Sequence, residues 1–243
     1  MKIGITEQGD AGLDFTWVNK LSYVDCAIII SKSMNKMLFK HLKDNQEKCI
    51  FHATITSLGG TRWEPNVKFY KESLKNLEYF ISVMNFPSEQ IVLRFDPIIS
   101  YNQTHILETE FIPFLQNYNI KRLRFSLVTW YPHVLERLNN KTREIIKNKS
   151  EDDKKFILDK MEKLAYKYPT ISFESCALKE DCNFIKKQGC ISEKDLEILN
   201  IKKDFLTGKQ SFQRKECLCL AEKTELLKNK KQCPHGCLYC YWK

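Results

Sequence analysis

Short apolar runs alternate with amphipathic stretches along most of the chain. Runs at 2–6, 24–31, 48–57, 90–95, 121–129 and 170–175 read as strands. Between them, Tyr70, Leu74, Leu77 and Ile81 recur at the helical period, and Ile157, Met161, Leu164 and Tyr168 repeat that spacing. Pro87 and Pro169 each stand after a helix and before a strand, where a helix stop belongs. Ser192 followed by Asp195 gives a capping-box pattern and predicts a last helix. Six strand–helix units in a row predict a parallel sheet, either an open α/β layer or a partial barrel.

The polar positions choose between these. The strand at 24–31 is nearly continuous apolar sequence, as a strand covered on both faces should be. Its neighbours alternate. One phase carries His52, Thr54 and Thr56, then Arg94 and Asp96, then Arg124 and Ser126, then Ser172, Glu174 and Cys176. The other carries Phe51, Ala53, Ile55, Leu93, Phe95, Phe125 and Phe173. Four neighbouring strands with one polar phase predict a barrel-like lumen whose outer face packs on helices; the alternative is a sheet with one solvated edge. In such barrels the chemistry sits at the C-terminal strand ends. Arg94 and Asp96 are placed to pair there or to position a ligand, and Glu174 to accept from a ribose or an amine or to be a supporting acid satisfied by its neighbours.

Composition narrows the class. With 43% hydrophobic residues, including 15 Phe, 10 Tyr and 4 Trp, the 243-residue chain has material for a core and does not read as disordered. Its most apolar stretch, Cys26 to Ile30, is far too short to span a bilayer, so no membrane association is expected. The opening MKIGITEQGD has acids at Glu7 and Asp10 and no apolar core, so no signal peptide is expected and a cytoplasmic location is. Net charge is +9; residues 201–243 carry ten Lys and Arg against four Asp and Glu, hence +6 of it. A basic tail suits a phosphate-rich partner such as nucleic acid, but no Arg-rich run accompanies it, and a Lys-rich solvated surface is the plainer reading.

Ten cysteines in a chain expected to stay reduced need a reason other than disulfides. Cys26, Cys49, Cys176, Cys182 and Cys190 are scattered and read as small buried hydrophobes. Cys217, Cys219, Cys233, Cys237 and Cys240 crowd the tail and read as ligands. The last three form C-x3-C-x2-C. Three thiolates so spaced can wrap three irons of a [4Fe-4S] cube and leave the fourth iron open to a small chelator. In radical S-adenosylmethionine (SAM) enzymes the methionyl amine and carboxylate take that corner, and the residue before the last cysteine packs near the adenine. Tyr239 holds that position. Zinc is the rival; it wants four ligands, which Cys217, Cys219, later cysteines or His235 would supply.

The chain resembles the bacterial family called domain of unknown function 1848, a radical-SAM-like family with its cysteine motif at the C-terminus. The resemblance runs through Thr54-Ile55-Thr56, Glu64-Pro65-Asn66-Val67 and Leu93-Arg94-Phe95-Asp96-Pro97-Ile98-Ile99. It continues in Ser175-Cys176-Ala177, Gly189-Cys190-Ile191, Lys202-Lys203-Asp204, Gln213-Arg214 with Cys217-x-Cys219, and the terminal CPHGCLYCY. It implies a radical-SAM barrel whose cluster loop has moved from the start of the chain to its end. Two departures bear on the substrate pocket. Thr6-Glu7-Gln8-Gly9-Asp10 stands where the family has an Arg-Arg-Thr-Asp-Ile-Pro-like stretch, and Thr224-Glu225-Leu226-Leu227 replaces an Asp-Ile-Gly pattern.

The expectation is therefore an α/β protein: a partial (β/α) barrel over 1–200, with a cysteine-rich iron–sulfur segment, 201–243, packed on it. Cys233, Cys237 and Cys240 hold a [4Fe-4S] cluster, with Cys217 and Cys219 auxiliary. Tyr239, Glu174, Arg94 and Asp96 contact S-adenosylmethionine. A flavodoxin or ferredoxin supplies the electron, and the substrate is unidentified. The alternatives are a zinc- or cluster-bearing nucleic-acid-binding module and a pure electron carrier.

Overall fold

The computed structural model describes residues 1–176, 178–202, 218–220, 223–229 and 232–242, and of 147–151 the backbone alone. Eight strands form one sheet: β1 (Ile3–Ile5), β2 (Cys26–Ser31), β3 (Cys49–Thr54), β4 (Ile91–Ile98), β5 (Arg122–Leu127), β6 (Ser172–Ser175), β7 (Lys186–Lys187) and β8 (Lys223–Glu225). The order across it is β7-β6-β5-β4-β3-β2-β1-β8, and every neighbouring pair is parallel. Order in space thus follows order in the chain, with β8 returning to the free side of β1. A sheet that never reverses its strand order sends its crossovers to one side, since each has the same hand. Among the described residues no pairing joins β7 to β8, and the sheet is not closed.

The first six strands fall where the apolar runs predict them. β2 is buried along its whole length. β7 and β8 are additions: Lys186–Lys187 and Lys223-Thr224-Glu225 carry no apolar alternation, and the backbone of β1 and β6 recruits them.

Helices α1 (Lys36–Asp44), α2 (Tyr70–Ser82), α3 (Asn102–Ile106), α4 (Ile112–Asn117), α5 (Pro132–Leu135), α6 (Asn140–Lys167) and α7 (Glu193–Ile198) fill the connections. Their starts are chemically marked. The Asn35 side chain accepts from the Leu38 N–H at 3.0 Å, and Asn139 does the same for Thr142 at 2.9 Å. The capping box of Ser192 and Asp195 is present at α7. The amphipathic faces then bury: Leu74, Leu77 and Phe80 of α2, with Phe39 of α1, meet Phe51, Leu93, Phe95, Phe125 and Phe173 of the sheet. Phe39 stacks on Phe80 with ring centroids 4.4 Å apart.

The opposite face of the sheet carries the polar phase. At the start of the strands it is apolar, where Ile3, Ile28, Ile50 and Val92 pack on Ile191 and on Leu196 of α7. Beside this lies a buried ionic knot. Arg122 donates to Glu174 Oε1 at 2.8 Å and to Asp195 Oδ1 at 2.6 Å, while Arg124 donates to Glu174 Oε2. The knot ties α7 to β5 and β6 and plugs the inner face. Towards the C-terminal strand ends the plug gives way to a cavity. No helix among the described residues is long and apolar enough to cross a membrane.

Candidate functional site

The cavity is about 180 Å³ and lies at the C-terminal ends of β2 to β6, under the last residues of the chain. Cys233, Cys237, Tyr239 and Cys240 line it, as do Arg94 and Asp96. The terminal loop is held by what it crosses. The Asn66 N–H donates to the His235 carbonyl at 3.3 Å, the Asn66 side chain to the Pro234 carbonyl at 2.7 Å, and the Leu238 N–H to the Trp63 carbonyl at 3.0 Å. Arg137 donates to the Cys240 carbonyl at 2.7 Å. Gly236 has a φ of +69°, the left-handed turn that lets the chain double back between Cys233 and Cys237.

Beneath the loop sit two buried acids. Asp10 receives Ser31 Oγ at 2.6 Å, the Gly12 N–H at 2.9 Å and the Lys32 N–H at 2.8 Å, and its Oδ2 is 2.7 Å from His235 Nε2. Burial would raise the Asp10 carboxyl, but His235, Ser31 and the Lys32 amide outweigh it and hold the group below its ordinary value. Asp10 thereby anchors the base of the cysteine loop to the end of β2. Glu64 is fully buried and receives Lys32 Nζ at 2.8 Å, Thr56 Oγ1 at 2.7 Å and the Tyr239 hydroxyl. Burial again pushes up, and the Lys32 ammonium with the two hydroxyls brings Glu64 below the usual carboxylate range. Burial pushes the Cys237 thiol up to about 11, with the Lys32 ammonium opposing it.

Arg94 and Asp96 form an ion pair on the wall, and Ser126 also donates to Asp96. Arg94 Nε and Thr54 Oγ1 are buried on that wall and have no hydrogen-bond partner among the described residues. Such orphaned groups carry a desolvation cost that a polar ligand relieves. Glu174 is placed differently: both its oxygens are taken by Arg122 and Arg124, and it is not among the residues lining the cavity. Cys217 lies outside the described residues, while Cys219 is buried on the cavity wall.

Asp10, Lys32 and Glu64 carry more of the site than the spacing of residue types indicates. Glu64 belongs to the Glu64-Pro65-Asn66-Val67 stretch of the resemblance, and that was its one signal. Cys176 and Cys190, which read as packing residues, also reach the cavity. Their signal is the resemblance, which runs through Ser175-Cys176-Ala177 and Gly189-Cys190-Ile191. Among the described residues no three His, Cys, Asp or Glu side chains converge as ligands of a single metal ion.

A family model described as a domain of unknown function (DUF1848) matches residues 16–242. No curated protein and no solved structure matches the chain.

Proposed function

The chain belongs to the DUF1848 family, and from the cavity's geometry we propose that it is an iron–sulfur enzyme of the radical S-adenosylmethionine class. The observation that carries the reading is the terminal loop, which brings the three thiols of Cys233, Cys237 and Cys240 to one cavity at the C-terminal ends of a parallel sheet. The donor set fits a [4Fe-4S] cube: each thiolate takes its own iron, so the three need not converge on one point as zinc ligands must. When bound and reduced, such a cluster supplies the electron that splits the sulfonium of S-adenosylmethionine into methionine and a 5′-deoxyadenosyl radical.

The chain's own residues prepare the place. Lys32 sets a positive charge beside Cys237 that opposes the burial raising its thiol. Glu64 fixes Lys32 and the Tyr239 ring together, and that ring is a flat apolar face for an adenine. Arg94 and Thr54 offer hydrogen-bonding groups without partners to the polar half of the cofactor, and Asp96 orients Arg94. Trp63, Trp130, Tyr131 and Tyr241 gather nearby, with ring centroids 5.8 Å apart in both the Trp63–Trp130 and Tyr131–Tyr241 pairs, and favour a substrate with a flat or apolar part. The electron comes from a reductant protein such as a flavodoxin or ferredoxin, in the cytoplasm.

The test is product analysis. Reconstituted protein reduced with dithionite should convert S-adenosylmethionine to 5′-deoxyadenosine and methionine, slowly without substrate, and Cys237→Ala should abolish the conversion. Fully iron-loaded, reduced protein that leaves S-adenosylmethionine intact would refute the proposal.

A further inference from the structure

Three more thiols face the same cavity and have no part in the reading above. Cys176 follows β6, Cys190 follows β7 and Cys219 precedes β8, and all three line the wall. Backbone contacts bring the last two together across 29 residues of sequence. The Cys190 N–H donates to Cys219 Sγ at 3.2 Å, and the Leu220 N–H donates to the Ile191 carbonyl at 3.1 Å. A Cβ on Gly189 would meet the backbone of Leu218 and Cys219 at 2.5 Å, so only glycine lets these segments touch. Cys176 packs against the buried cluster that contains both Cys190 and Cys219.

The surroundings are mixed: Cys190 and Cys219 pack with Ile3, Ile5 and Ile191, and they also line the polar cavity. Arg94, paired with Asp96, lines the same cavity, and Arg124, paired with Glu174, donates to the Cys190 carbonyl at 3.2 Å. His52 faces the same interior from β3, fully buried, and neither ring nitrogen has a partner among the described residues. Gathering thiols, cations and an orphaned imidazole costs desolvation energy that a purely structural core avoids.

We propose that Cys176, Cys190 and Cys219 hold a second iron–sulfur cluster, on the wall of the cavity formed by the ends of β6, β7 and the segment entering β8. It is separate from the terminal loop, and nothing in it requires S-adenosylmethionine. The two sites therefore stand or fall independently.

The experiment is metal analysis of the full chain, reconstituted anaerobically with iron and sulfide and freed of excess. The intact protein should hold about eight irons, two cubes' worth. The Cys233→Ala/Cys237→Ala/Cys240→Ala variant should keep about four, with matching sulfide and a paramagnetic signal on reduction. The Cys190→Ser/Cys219→Ser variant should lose the other four and keep the spectrum of the terminal cluster, which also reports that it has folded. A terminal-loop variant holding no iron, or zinc without sulfide, overturns the second cluster whatever the buried variant does. Should iron stay in the terminal-loop variant at the intact protein's level and leave with Cys190 and Cys219, the terminal cluster is refuted and the second stands.

Discussion

The Glu64 carboxylate holds an ammonium and two hydroxyls at zero exposure, and each partner comes from a different segment. Tyr239 is the one that belongs to the cysteine loop. Tyr239→Phe removes a hydrogen bond to a buried charge while keeping the ring, so urea unfolding should report a loss of about 2 kcal/mol. Iron content and S-adenosylmethionine affinity should stay near those of the parent. A large drop in affinity in Tyr239→Phe would mean that the hydroxyl, not the ring, meets the cofactor. Glu174 behaves differently because two guanidiniums depend on it. Glu174→Ala leaves Arg122 and Arg124 short of their counter-charge and should cost about 3–5 kcal/mol, read again by urea unfolding. A parent-like midpoint with weakened S-adenosylmethionine binding would instead put Glu174 at the cofactor.

Among the elements, β8 carries a carboxyl whose titration reaches neutral pH. Glu225 at its end is largely buried, and burial raises its carboxyl from the ordinary 4.5 to about 7, against the Leu227 and Gln8 amides that pull it down. One of its oxygens is buried without a partner among the described residues. Between those two values the folded chain holds a proton that the unfolded chain has released. The contribution to stability is therefore full below the unfolded value and is lost as pH rises through about 7. Glu225→Gln should flatten the decline in melting temperature between about pH 5 and about pH 8. An unchanged slope would show that the edge strand does not bury this charge. β8, like β7, is a strand that sequence patterning does not find. β1 to β6 announce themselves through apolar alternation, because each covers an apolar core. Lys223-Thr224-Glu225 covers nothing apolar of its own and becomes a strand only because β1 presents an unpaired edge. The site divides the same way. Cys233, Cys237 and Cys240 lie within one loop, so spacing alone reveals them. Glu64 meets Tyr239 across 175 residues and Cys190 meets Cys219 across 29, and only the path of the sheet makes those pairs.

At the scale of the whole molecule, a sheet laid down in chain order leaves one face for helices and one for an enclosed interior, plugged at one end by α7 and the Arg122–Glu174–Asp195 knot. Residues 233–242 then close over the other end, where the thiols gather. This places a site at the C-terminal strand ends although its cysteines come last in sequence. The proposed function requires a cluster on the terminal loop with an open iron that S-adenosylmethionine occupies. Electron paramagnetic resonance of the reduced, reconstituted protein tests it most directly, with the Cys190→Ser/Cys219→Ser variant isolating the terminal cluster's signal. Adding S-adenosylmethionine should shift that signal, and Cys233→Ala/Cys237→Ala/Cys240→Ala should remove it. A strong cluster signal that stays the same on saturation with S-adenosylmethionine would contradict the account.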